Sequence, residues 1–221
     1  MKKLVVGALA CLGLSILGAE AAGQRAVTTL PLVINTVEVD GRPVVSRRWI
    51  REQVENANAL FRPHGVAFEV HARNSVDARH ARLENRRDRH HLGRLLHPQR
   101  VDAFLVQSLR DVDEPERFRQ GVHWRPRGEE YPEGAHFVIV SSIAGPTVLA
   151  HELGHYFGNG HSDVPGNVMS YERGDGPPFF DETQGQRIRF SLRRFLRDGE
   201  LVTAEAAGSG DEGDVDEGSG R

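Results

Sequence analysis

The sequence predicts an α+β domain: a twisted mixed β-sheet packed over a first helix and a second, histidine-bearing helix, followed by a small C-terminal part that ends in a last helix. Three observations predict it. Near the start, a β-branched run, a helix-spaced run and an alternating run follow one another in β-α-β order. Two compact apolar runs, "VDAFLVQSL" and "HFVIVSS", then suit interior strands. Two further stretches carry apolar residues at helical spacing, one around "HELGH" and one towards the C-terminus.

The first strand is "TTLPLVINTVEV", from Thr28, which stops at the turn-forming pair Asp40-Gly41. In "SRRWIREQVENANALF", Ile50, Val54, Ala57, Leu60 and Phe61 share one helical face behind a Ser46 cap, and Pro63 and Gly65 close the helix. "VAFEVHA" alternates Val66, Phe68 and Val70 inward, as a half-buried strand does. From Asp77 to Leu96 the chain is dense in arginine and histidine, with Leu83, Leu92, Leu95 and Leu96 as its few apolar marks. It reads as a solvated charged face on a surface helix or long loop, and His90-His91 find no third metal ligand at a useful spacing. Between the two interior strands, residues 110–134 form a polar, proline-bearing loop with a short edge strand at "GVHW". Pro146 reads as the first residue of the histidine-bearing helix, whose Val148, Leu149, Leu153 and Tyr156 face a core. The last helix lies in "DETQGQRIRFSLRRFLRDG", capped by Asp181, striped by Ile188, Leu192, Phe195 and Leu196 and stopped by Gly199; Gly185 inside it runs against helix propensity.

Both ends read as something other than folded core. Residues 1–21 open with two lysines, an apolar run from Leu4 to Leu17 and Ala19-Glu20-Ala21, the pattern of a cleaved secretory signal. The run is too short to span a membrane in the mature chain. The competing reading is a lipid-modified Cys11, against which stands Leu9, one place from where a lipoprotein signal wants it. An exported protein, secreted or periplasmic, follows. Residues 208–221, "GSGDEGDVDEGSGR", carry five carboxylates and one large aliphatic residue, so an acidic, disordered tail is expected. "DVDEG" hints at a calcium loop, but the chain ends before the bidentate glutamate that such a loop requires. Residues 22–207 remain as one domain.

The composition excludes several functions. Setting aside Lys2, Lys3 and Arg221, and Glu20 with the five tail carboxylates, leaves 25 basic and 25 acidic side chains. That balance gives no electrostatic case for nucleic acid or an anionic membrane. Cys11 is the only cysteine and departs with the leader, so the mature chain has no disulfide and any metal must take nitrogen and oxygen donors.

The chemistry concentrates in "HELGHYFGNGH", residues 151–161. His151 and His155 are four apart, one turn above each other on one helical face, so two imidazole nitrogens reach a common point suited to zinc. Glu152 projects roughly 100° round, beside the metal rather than onto it, where a base acting on water belongs. Gly158 takes the left-handed turn that ends the helix, and His161 returns to the same point. Three neutral histidines leave the ion its full charge and a fourth position open for water. With this composition, HExxHxxGxxH arises by chance about 2 times in 10,000 such chains.

These residues resemble the extended zinc motif of the metzincin metalloproteases, and "GNVMSY", with Met169 eight residues past His161, looks like their Met-turn. The resemblance implies a zincin-like fold, one catalytic zinc on His151, His155 and His161, Glu152 as the catalytic base, Met169 as an apolar floor beneath the metal, and Tyr171 as a zinc ligand or oxyanion donor. "TVLAHELGHYFGNGH" and the following "DETQGQRIR" are similar to the pappalysin-like branch, specifically over residues 136–190 and diffusely from 28 to 135. The cysteines common in that branch are missing, as are the cysteine-switch propeptide of matrixins and the calcium repeats of serralysins, so the resemblance leaves the branch, the activation mechanism and any calcium requirement open. A secreted zinc endopeptidase acting on a protein or peptide substrate is therefore expected, the substrate lying extended along an edge strand for which "GVHW" is the candidate. Two rivals stand beside it: an exported zinc-binding adhesion or sequestration protein, against which the retained Glu152 argues, and a hydrolase of non-peptide amides. Cleavage-site preference and oligomeric state leave no mark in the sequence.

Overall fold

The computed structural model describes residues 26–132 and 134–209. The leader lies outside them, as does the acidic tail beyond Ser209. Strand β1 (Thr28–Val39) turns through Asp40 and Gly41, both at positive φ, into the two-residue strand β2 (Arg42–Pro43). Helix α1 (Arg47–Phe61) starts where the Ser46 hydroxyl accepts the Trp49 N–H at 3.1 Å, and it buries Ile50, Val54, Ala57, Leu60 and Phe61. A 3-10 turn over Arg62–His64 and Gly65 at φ 81° bring the chain into β3 (Val66–Val76). Val66, Phe68 and Val70 face the core as expected, Val70 only partly buried, and Ala67 on the opposite face is buried as well.

The main sheet runs in the order β3, β1, β5 (Val101–Val106), β8 (Phe137–Ser141), β7 (Gly121–Trp124). The first four strands are parallel and β7 closes one side antiparallel to β8. Every residue of β5 and β8 is buried, Asp102 and Ser141 among them, as in strands covered on both faces. One face packs on α1, on α3 (Val148–Tyr156) and on α4 (Glu182–Arg197) in a single apolar core.

The other face is covered by the arginine-rich segment, which is the largest departure from expectation. Short strands β4 (Arg82–Leu83) and β6 (Ser108–Leu109) pair there, and Leu83 of β4 and Leu92 of α2 (Arg86–Leu92) pack with Phe104, Phe137 and Ile139. Arg89 is not solvated but buried: its guanidinium donates to the Arg110 carbonyl at 2.5 Å and lies 4.9 Å over the Trp124 ring, and burial pulls its pKa down to about 10. A charge run with four leucines thus serves as a cover, its long side chains lying along the apolar surface.

Two boundaries also differ. Helix α3 begins at Val148, Pro146 lying in the preceding turn, and Thr147 makes no side-chain cap; instead Gln53 of α1 accepts the Leu149 N–H at 3.1 Å and donates to the Gly145 carbonyl at 2.8 Å. A short helix α5 (Ala204–Ser209) follows the last expected one. Asp181 caps α4 with a reciprocal bond from Gln184, and Gly185 is glycine because a Cβ there would strike the His64 ring.

Candidate metal centre

The histidine-bearing helix is held from below before any ligand is considered. Leu149, Leu153 and Tyr156 fix its apolar face in the core, and Gly154 lets the fully buried Met169 side chain pass directly beneath it. At its end Gly158 adopts φ 86°, and Asn159 N–H closes back on the Gly154 carbonyl at 3.0 Å. The chain then returns His161 over the helix.

The three imidazoles converge. His155 Nε2 stands 3.1 Å from His151 Nε2 and 3.2 Å from His161 Nε2, and the three ligand atoms lie within 4.8 Å of one another. Four ligands placed tetrahedrally at 2.0–2.1 Å from a zinc ion are about 3.3 Å apart, so the spacing fits. The tautomers fit as well. His151 Nδ1 is 2.7 Å from the Val168 carbonyl and His155 Nδ1 is 2.8 Å from the Asn159 carbonyl. A carbonyl only accepts, so both Nδ1 atoms carry the proton and both Nε2 atoms present lone pairs to each other. Lone pairs facing at 3.1 Å repel unless a cation lies between them. Burial pushes all three histidines below their ordinary pKa, His155 to about 4, which keeps them neutral and able to ligate at neutral pH.

Glu152 lies outside that ligand set. It is 5% exposed, and a Cβ added to Gly121 would stand 2.7 Å from its Cγ, so the start of β7 lies against it. Burial lifts its pKa to about 8, against a backbone hydrogen bond from His123 and the charge of Arg119, both of which lower it. The Tyr171 hydroxyl lies 2.8 Å from His161 Nε2, while 72% of the residue remains exposed. Met169 is anchored through its N–H to Asn167 Oδ1 at 2.9 Å, and Asn167 and Gln184 exchange two side-chain bonds of 2.8 and 3.1 Å that tie this turn to α4.

Several of these supports were not expected from the sequence. Gly154 carried a signal, since an isolated glycine inside a helix needs a packing reason. Arg119, Gly121, Asn159, Asn167 and the buried pair His123–His136 carried none, because each matters through a partner on another element.

No known family model matches the chain, and no curated protein matches it by sequence. Solved structures match it through the fold. Metalloproteinase-II from Bacteroides fragilis aligns at a TM-score of 0.53 and 17% identity, over 76% of this chain and 54% of that one. This chain thus spans about half the length of that protein. Tannerella forsythia mature mirolysin, solved in complex with a cleaved peptide, aligns at 0.56 and 11% identity, over 80% of this chain and 99% of that one. The fold is that of these zincin-like metalloproteases. The α+β reading and the zincin-like architecture therefore hold, and the three-histidine cluster fits a zinc site.

Proposed function

We propose that the protein is an exported zinc-dependent endopeptidase. The observation that carries this reading is the tautomer pattern: two Nε2 lone pairs are forced toward one point by backbone carbonyls behind them, with His161 completing the set and a buried carboxyl alongside. His151, His155 and His161 would hold the zinc. When bound, it supplies Lewis acidity that polarises a carbonyl and acidifies water at neutral pH.

The chain's own residues do the rest. Glu152 takes a proton from the attacking water on its carboxylate and hands it to the leaving amine, which its isolation from bulk water favours. Tyr171, beside the third histidine, offers its hydroxyl to the oxyanion. An extended substrate adds to β7, the terminal strand of the sheet, which brings its backbone past Glu152. Mirolysin's complex with a cleaved peptide supports a peptide substrate for this arrangement. Among the described residues no helix is long and apolar enough to cross a membrane, in keeping with export of the mature chain.

The test is metal content and casein cleavage by residues 22–221 and by the Glu152→Gln form, with and without a chelator. The reading expects one zinc per chain in both and chelator-sensitive cleavage only in the wild type, with turnover reduced at least about a hundredfold by the substitution. Zinc in both without cleavage by either points to a binding protein or to a different amide as substrate. Absence of zinc from both overturns the reading.

A further inference from the structure

Arg119 is a fixed cation at this site for which the proposed hydrolysis has no task. The backbone that carries it is tied on several sides. Its N–H donates to the Leu109 carbonyl at 2.8 Å, and its carbonyl accepts from the Ser141 hydroxyl at 3.0 Å. On the next residue, the Gln120 carbonyl accepts the Ser141 N–H and the Gln120 side chain accepts the Gly145 N–H, both at 2.8 Å.

The guanidinium is just as firmly placed. Asp111, whose side chain is 5% exposed, holds it at 2.7 Å while also accepting the Asp113 and Glu114 N–H groups at 2.9 and 3.2 Å. The guanidinium lies near enough to Tyr171, Glu152 and His161 for its charge to act on all three. The Arg119 side chain nevertheless remains 39% exposed. A guanidinium carries five N–H donors in a planar fork, so the pair with Asp111 leaves donors over. Two residues further on, β7 begins against Glu152, so Arg119 lies beside the line that a peptide paired with that strand follows.

We propose that Arg119 is a carboxylate-recognition subsite, selecting peptides that present an aspartate or glutamate side chain, or a free C-terminal carboxylate, close to the bond to be cut. The chemistry is the planar, two-oxygen acceptor that matches the arginine fork. This rests on the peptidase reading, and its test reads binding as well as turnover.

The zinc-loaded Glu152→Gln protein is titrated, by fluorescence anisotropy, with degenerate decapeptide pools. The pools differ only in Glu against Gln at fixed positions, and in a free against an amidated C-terminus. The acidic member of one series binds about ten- to a hundredfold more tightly, as for a desolvated charge-assisted hydrogen bond. The series that shows it distinguishes a side chain from a terminus. Adding Arg119→Gln abolishes the preference, and Arg119→Lys keeps part of it, with zinc content and circular dichroism unchanged in both. Equal affinity for acidic and amide pools, or a preference that survives Arg119→Gln, overturns the proposal. Casein cleavage without acid preference sinks the subsite and leaves the peptidase; acid preference without any cleavage does the reverse.

Discussion

Glu152 makes the metal-free protein unstable in a way that a single substitution exposes. Burial lifts its pKa to about 8, whereas in the unfolded chain it titrates near its ordinary value of 4.5. Between those values the folded state binds a proton that the unfolded state has already released. Its contribution is therefore fully present below pH 4.5 and is lost as pH rises toward 8. Integrated from those two values, the cost relative to low pH is about 1 kcal/mol at pH 5 and about 3 kcal/mol at pH 7. Glu152→Gln removes the titration and keeps the shape of the side chain. In the presence of chelator the variant should exceed the wild type by about 1 kcal/mol at pH 5 and about 3 kcal/mol at pH 7, the latter worth about 6–12 °C in Tm for a domain of this size. Urea unfolding at the two pH values measures it. The buried histidines titrate alike in both proteins, so the difference isolates Glu152. A variant no more stable than the wild type at pH 7, or a gap that does not widen with pH, refutes the argument. Zinc loading should narrow the gap, because a nearby divalent cation favours the ionised carboxylate.

The buried pair behind β7 predicts an acid limit. His136 stacks on Tyr156 at 3.7 Å, its Nδ1 lies 2.9 Å from His123 Nε2, and burial lowers its pKa to about 2. Keeping it neutral costs about 2 kcal/mol more at pH 5 than at pH 7, so His136→Phe should show a correspondingly smaller loss between those pH values in chelator-treated urea titrations. Gly154→Ala drives a methyl group into the Met169 thioether and should cost about 1–3 kcal/mol of stability together with zinc affinity, read by denaturation and metal competition. Asn167→Ala strands Gln184 and the Met169 N–H, and a loss of about 1–3 kcal/mol in the same denaturation assay is expected.

What was legible in the chain divides by the range of the interaction that each residue serves. Ser46, Asp40-Gly41, Asp181 and Gly158 act on backbone groups within a few positions of themselves, so their chemistry is readable in order along the chain, and the structure puts each to that local use. The convergence of His151, His155 and His161 is of the same kind, because one helical turn and one glycine turn suffice to specify it. Pro146 was misplaced for the complementary reason: the start of α3 is satisfied by Gln53, nearly a hundred residues earlier, which no local cap signal announces. The arginine-rich segment was misread because its charge is local whereas its work is not; Leu83, Leu92 and Arg89 cover a sheet face assembled from strands that come later in the chain. The same holds around the metal centre. That Gly121 abuts Glu152, and that Arg119 comes within reach of Tyr171, depends on β7 folding back antiparallel beside β8 with α3 packed beneath both. The sequence motif thus specifies which atoms could bind a metal, while strand order decides which charges and which free edge surround it, and with them the peptides that could approach.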